Sequence, residues 1–209
     1  MPFHKNVFVN CPFDSDYLSL LRPLLFTVID LGFAPKIALE SPDSGRPRFD
    51  RIIALVQQSK FAIHDLSRLQ ASKEGELFRL NMPFELGIDI GCRLFKKGRW
   101  AGKRCLILEA EKYRYQAAIS DLSNSDIETH ENKPDLISAK VRNWLNSQAQ
   151  LRAPGPSELW TRFNDFMAAT YYDLTTSRGF SPADAANLPI DELLAEMKAW
   201  VGKNPLSRI

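Results

Sequence analysis

"KFAIHDLSRLQASKEGELFRLNMPFELGIDIGCRLFKKGRWAGKRCLILEA", residues 60–110, is the stretch that decides how this chain folds. It opens on the apolar, β-rich run "KFAIHDLS" (60–67), which reads as a strand. A polar connection, "RLQASKEGELFRL", leads into "NMPFELGIDIGCRLFKKG", which reads as a helix, and "KRCLILEA" (103–110) is a second strand. A strand, a crossover helix and another strand predict a parallel pair.

The same alternation extends upstream. "NVFVN" (6–10) is a strand punctuated by "CPFD". "YLSLLRPLLFTVIDLGF" (17–33) sets Leu18, Leu21, Leu24, Leu25, Val28 and Leu31 at helical spacing. Pro23 is early enough to be tolerated with a kink, or it marks the true first turn. "GFAPKIALE" reads as a turn and a strand, and "SPDSGRPR" as a polar loop. "RFDRIIALVQQS" is an amphipathic helix with Phe49, Ile52, Ile53 and Val56 expected inward. The order β-α-β-α-β-α-β predicts an α/β fold of three layers, a parallel sheet with helices on both faces.

Beyond residue 110 the pattern changes. "YQAAIS", within the ambiguous "EKYRYQAAISDLSNSDIETH", is a candidate edge strand. "PDLISAKVRNWLNSQ" is helical, with Leu136, Ile137, Val141, Trp144 and Leu145 on one side. After the hinge "LRAPGPS", Trp160, Phe163, Met167 and Tyr171 fall near heptad spacing. Ser181-Pro182-Ala183-Asp184 resembles a capping box with Asp in place of Glu. The expected organisation is an α/β domain over 1–150 and a helical C-terminal extension over 151–209.

The 209 residues, 44% hydrophobic and 25% charged, are enough for a core without staples. A net charge of +2 gives no direct nucleic-acid signal. Cys11, Cys92 and Cys105 are widely spaced, and His4, His64 and His130 do not make a metal set. "MPFHKNVFVNCPFD" lacks the basic and apolar regions of a signal peptide. No apolar run nears the roughly 18 residues that span a bilayer. A cytoplasmic protein with no membrane partner, no metal and no cofactor is expected, NAD entering only as a candidate substrate.

In an open parallel sheet, ligands sit beyond the carboxyl ends of the strands, where the strand order reverses. "NCPFDSD", "ESPDSGRPR", "HDLSR" and the start of the Glu85 helix converge there. Asn81 is a plausible N-cap and Pro83 suits the first turn, which places Glu85 within about the first turn. The helix dipole then favours the ionised carboxylate, with Met82 and Phe84 limiting water and Gly87 and Gly91 allowing close approach. Such an acid is either a nucleophile at a cleft rim or a simple partner of the dipole. Asp65 ends a strand, as a site residue or as an Asx-type turn. Asp50 lies between Arg48 and Arg51 and is either an acid of the site or half of a surface ion pair. Arg46 and Arg48 are candidate phosphate ligands or a solvated basic patch. Cys11 follows a strand and reads as buried or lining. Neither GxGxxG nor a Walker A loop is present.

Taken together, "VFVNCPFD", "RFDRIIALVQQSKFAIHDLSR" and "NMPFELGIDIG" are similar to the nucleoside 2-deoxyribosyltransferase-like proteins. The spacing of Ser59, Ser67 and the downstream "EL" also resembles TIR domains. Both families share a flavodoxin-like sheet, so the resemblance implies that fold over about residues 5–110. It implies that Glu85 is the catalytic carboxylate, Asp50 a substrate-contacting acid, and Asn10, Cys11, Pro12 and Phe13 the pocket wall. Arg46, Arg48, Asp65 and Asn81 complete the candidate binding set. The chain departs from the transferases before the motif, where "EGELFRLNMP" offers only Glu74 and Glu76 as acids, and at its end, "NPLSRI". The implied chemistry is N-glycosidic cleavage of a nucleotide, nucleoside or NAD, by hydrolysis or by transfer. The implied partners are that small molecule and further copies of the chain. The alternative is a non-catalytic nucleotide-signal-binding or self-associating TIR-like module.

Overall fold

The continuous apolar runs become the middle of one sheet because parallel strands are covered on both faces. The computed structural model describes residues 1–38, 47–68, 80–112, 114, 119–120 and 126–206. Strands β1 (Asn6–Asn10), β2 (Ala34–Ile37), β3 (Phe61–Asp65), β4 (Arg104–Glu109) and β5 (Glu128–Thr129) form a sheet in the order β2-β1-β3-β4-β5. Every pairing is parallel, with Val7 opposite Phe61 and Phe61 opposite Arg104. This is the flavodoxin-like α/β arrangement. The order reverses direction between β1 and β3, so a crevice opens at their carboxyl ends.

Side-chain alternation divides the sheet between two helical layers. Val7, Val9, Phe61, Ile63, Leu106 and Leu108 face α1 (Leu18–Asp30) and α4 (Pro134–Ala149). Phe8 and Ala62 face α2 (Arg48–Gln58), and Ile107 faces α3 (Asn81–Phe95). Helix α1 contains Pro23 and is buried on nearly every side, from Leu20 to Asp30. A helix that is apolar all round needs cover on both faces. The second cover comes from α5 (Pro156–Thr176) and α7 (Ile190–Lys203), with α6 (Pro182–Ala186) packed on α5.

Residues 151–206 therefore carry on the core of the sheet: Leu159, Phe163, Phe166, Leu193 and Met197 join the same buried cluster as Val7 and Leu24. Phe26 of α1 stacks on Phe166 at 5.3 Å. Buried Asp30 receives a two-pronged hydrogen bond from Arg162 of α5, at 2.8 and 2.6 Å. The inward stripe of α5 is Leu159, Phe163, Phe166 and Leu174, and the Tyr171 expected on it is exposed. Ser181 and Asp184 do form the capping box.

Other boundaries follow from local chemistry. α1 stops at Gly32, whose φ of +81° suits glycine; the Phe33 N–H reaches Val28 and the Gly32 N–H reaches Ile29, a Schellman closure. Among the described residues, the edge strand at the β4 side is β5. Of the candidate "YQAAIS", Ile119 and Ser120 lie in no strand and 115–118 fall outside the described residues. Phe49 is not inward: it is 44% exposed and stacks on Phe84 at 5.8 Å.

Candidate functional site at the strand-order switch

At the carboxyl ends of β1 and β3 lies a cleft of about 390 Å³ lined by Asn10, Cys11, Pro12, Phe13, Asp14, Arg48, Asn81, Met82 and Glu85. That volume lies within the range of ~300–1,000 Å³ usual for small-molecule sites. β1 and the turn after it supply Asn10 to Asp14, the start of α2 supplies Arg48, and the start of α3 supplies the rest.

Glu85 owes its position to helical spacing. Met82, Glu85, Leu86 and Asp89 are the buried residues of α3, so two acids share its inner face. Asp89 is neutralised there: Lys103 Nζ lies 2.9 Å from one oxygen, and His64 Nε2 faces the other at 3.6 Å. Burial pushes the Asp89 carboxyl up, but His64 and Lys103 outweigh it and hold it low. Glu85 is 5% exposed and, among the described residues, has no such neutralising pair. Burial raises its pKa, and the charge of Arg48 opposes that rise.

The helix-dipole expectation for Glu85 is corrected by where α3 begins. Leu80 is the flanking residue, no side chain caps it, and Asn81 is already helical. The Phe84 N–H bonds to Leu80. Glu85 is therefore in the second turn, away from the free N–H groups, and burial decides its ionisation. Nor is Gly87 needed for close approach, since a Cβ there would meet nothing within 4 Å; at Gly91 it would touch only the Phe95 ring, at 3.7 Å.

A buried polar chain fixes the start of α3 above the sheet. The Asn10 amide donates to the Met82 carbonyl at 2.9 Å and lies 3.0 Å from His64 Nδ1. With Nδ1 accepting, the other ring nitrogen of His64 carries its hydrogen towards Asp89. Lys103 also donates to the carbonyls of Val56, at 2.8 Å, and Ser59, closing the end of α2.

On the opposite face of the sheet, Asp65 is fully buried and does not line the cleft. It accepts hydrogen bonds from Tyr17 Oη, Ser67 Oγ and the Ser67 N–H, and His130 Nε2 lies at 3.0 Å. Asp65 thus makes the Asx-type turn and a packed hub besides. Burial alone would raise its pKa, but the bonds from His130, Ser67 and Tyr17 bring it below the ordinary aspartate value. The Asn132 N–H donates to His130 Nδ1 at 3.1 Å, which leaves Nε2–H for the hub.

Asp50 is exposed on α2 and is not among the cleft-lining residues. Arg46, with Glu74 and Glu76, lies outside the described residues. Cys11 both lines the cleft and is buried, and burial, then Asp65, Glu85 and Asp14, push its thiol well up, so it stays protonated. Sequence reasoning missed Asp14 and Met82 as lining residues. The signal for Asp14 was present in "CPFD": Asp14 caps the turn at Ser15–Tyr17 through the Tyr17 N–H, as a turn-initiating Asp does. Among the described residues no group of three or more His, Cys, Asp or Glu side chains is placed to hold a metal ion. Nor, among them, is any helix long and apolar enough to cross a membrane. No protein-family model, curated protein or solved structure matches the chain.

Proposed function

We propose that the chain cleaves an N-glycosidic bond of a nucleotide, a nucleoside or NAD, with Glu85 as the carboxylate beneath the anomeric carbon. The observation that carries this reading is Glu85 itself, an acid 5% exposed, with no salt-bridge partner among the described residues, at the wall of a cleft at the strand-order switch. As the C1′–N bond breaks, its electron pair leaves with the base and the sugar carbon becomes cationic. A carboxylate there captures that carbon or stabilises it, and water or another acceptor completes the step. Scarce water around Glu85 strengthens its field on the developing cation. The charge of Arg48 favours the ionised form of Glu85 against the effect of burial, and it supplies a cation for a phosphate.

The nature of the leaving group follows from which acids reach the cleft. A purine or pyrimidine needs a proton, and among the described acids Asp50 does not line the cleft, Asp65 is committed to its hub, and Asp14, which does line it, accepts from the Tyr17 N–H and pairs with Arg68 at 3.3 Å. Nicotinamide leaves from an already cationic ring and needs none. This supports a leaving group of that kind and hydrolysis over base exchange. Action as a homo-oligomer belongs to the same proposal. The test is incubation of the purified protein, over a range of concentrations, with NAD and common nucleotides, with chromatography of released base. Turnover that persists in Glu85→Gln overturns the mechanism.

A second reading is favoured by the upward push of burial on Glu85. A neutral carboxyl in the cleft donates a hydrogen bond and does no nucleophilic work. Under that reading the chain is a nucleotide-signal-binding module. Ligand then raises the melting temperature without any release of base.

A further inference from the structure

The edge of the sheet opposite the cleft has its own chemistry. Lys5, Lys60 and Arg104 stand at or just before the amino ends of the adjacent strands β1, β3 and β4. The Lys60 N–H bonds to Phe3, and the Arg104 N–H bonds to Lys60. Helix α3 runs back to this edge and ends there on Arg93, Leu94 and Phe95, followed by Lys96, Lys97 and Arg99. Arg99 lies over the rings of Phe3, at 4.9 Å, and Trp100, at 4.7 Å, which joins the amino terminus to the same surface.

Residues 1–13, 31–38, 51–64 and 90–108 contain no Asp or Glu. Among the described residues, none of Lys5, Lys60, Arg93, Lys96, Lys97, Arg99 and Arg104 forms a salt bridge with a carboxylate. A chain of net charge +2 has therefore gathered unopposed positive charge on one edge. Out of that charge project Leu94, 64% exposed, and Phe95, 85% exposed. Adjacent apolar side chains at a helix end are not left in water by fold requirements, since neither joins a core cluster.

We propose that this edge docks on an anionic lipid surface, with Leu94 and Phe95 entering the headgroup region and the surrounding Lys and Arg side chains meeting lipid phosphates and carboxylates. Apolar tips within a cationic ring are the chemistry of interfacial attachment. The sequence-level expectation of no membrane partner concerned a spanning segment, and a surface contact needs none. Single-stranded nucleic acid fits less well. It needs open aromatic faces. Here Trp100 is covered by Lys96, at 4.1 Å, and by Arg99, and its Nε1–H donates to Gln57 at 3.0 Å. Phe95, 85% exposed, is a single open ring, and Leu94 beside it offers no stacking surface, so successive bases would find no run of aromatic faces. Glu85 lies ten residues before Phe95 on the same helix, about 15 Å along the axis at 1.5 Å per residue. Docked this way, the chain presents its cleft to water.

The test is co-sedimentation of the full chain with vesicles of phosphatidylcholine alone and of phosphatidylcholine with phosphatidylserine, at low and raised salt. A single-stranded oligonucleotide is run in parallel. Binding is expected only to the anionic vesicles and is expected to weaken with salt. Lys96→Glu with Lys97→Glu is expected to weaken it by at least about 30-fold, from roughly one kcal/mol per cation near the surface. Leu94→Ser with Phe95→Ser is expected to weaken it by about tenfold or more, from loss of inserted apolar area. Thermal melts establish that each variant is folded. Equal binding to neutral and anionic vesicles, no binding to either, or anionic binding unchanged in the Leu94/Phe95 variant overturns the proposal. Retention on the oligonucleotide with vesicles ignored overturns it too, and gives the edge to nucleic acid.

Discussion

Removing the acid at Asp65 tests whether the carboxyl ends of the strands are held by one buried hub. Asp65→Ala takes the acceptor from four donors at once: Tyr17 Oη, Ser67 Oγ, the Ser67 N–H and His130 Nε2. Tyr17, Asp65 and His130 are buried, and water cannot replace the lost partner without opening the fold. Each orphaned donor costs about 1–3 kcal/mol. Tyr17 Oη and His130 Nε2, the donors on buried residues, together account for ~2–6 kcal/mol and the half-buried Ser67 pair for less, against a total stability of ~5–15 kcal/mol for a domain. Tyr17→Phe removes one donor and leaves three, and its expected cost is ~1.5–3 kcal/mol, the range for a hydrogen bond to a charged group. The assay is urea unfolding of the wild type and both variants at several pH values.

The pH dependence carries the sign. The folded state holds the Asp65 carboxyl below its ordinary value, so the hub's ionic contribution is full above that ordinary value. It is lost as pH falls through the depressed value, and the wild type and Asp65→Asn should converge there. An Asp65→Ala protein with wild-type unfolding midpoints, or a Tyr17→Phe cost equal to that of Asp65→Ala, refutes the hub. So does an Asp65→Asn gap that widens on acidification.

Glu85 should behave in the opposite sense. Its pKa is raised in the folded state, so ionisation penalises the fold as pH rises from the ordinary glutamate range through the raised value. Glu85→Gln is then more stable than the wild type at neutral pH, the difference vanishing in acid by thermal melting, while base release is lost. Arg48→Ala removes the charge that restrains the rise, so the acid limb of a pH–rate profile should move to higher pH. Arg162→Ala leaves Asp30 buried without its cation and should cost ~3–5 kcal/mol in chemical denaturation. Phe166→Ala should cost a similar ~3–5 kcal/mol, which would mark 151–209 as part of the folding unit.

Much of the fold was legible in sequence because it is local. The runs "NVFVN", "FAIHD" and "RCLILE" alternate with helical spacing, and short crossovers leave parallel pairing as the economical answer. Glu85 was legible as an oddity, an acid inside an apolar helix face, and the position of the cleft followed from the strand-order rule. The ionisation of Glu85 was not legible, because it turns on burial by distant residues and on a helix start at Asn81 itself, one residue earlier than an Asn81 cap implies.

Sequence by itself determined which residues could form strands and helices, and that one acid, Glu85, lies within an apolar helix. Only the tertiary structure decided its fate and that of Asp89. His64 and Lys103, 25 residues before and 14 after Asp89, close on that acid, while Glu85 is left at the cleft with Arg48. It also decided that His130, 65 residues beyond Asp65, completes the hub, and that residues within 151–206 cover α1. Periodicity is set by neighbours a few residues apart, so it can be read along the chain. Charge pairing and burial are set by groups that only folding brings within a few ångströms.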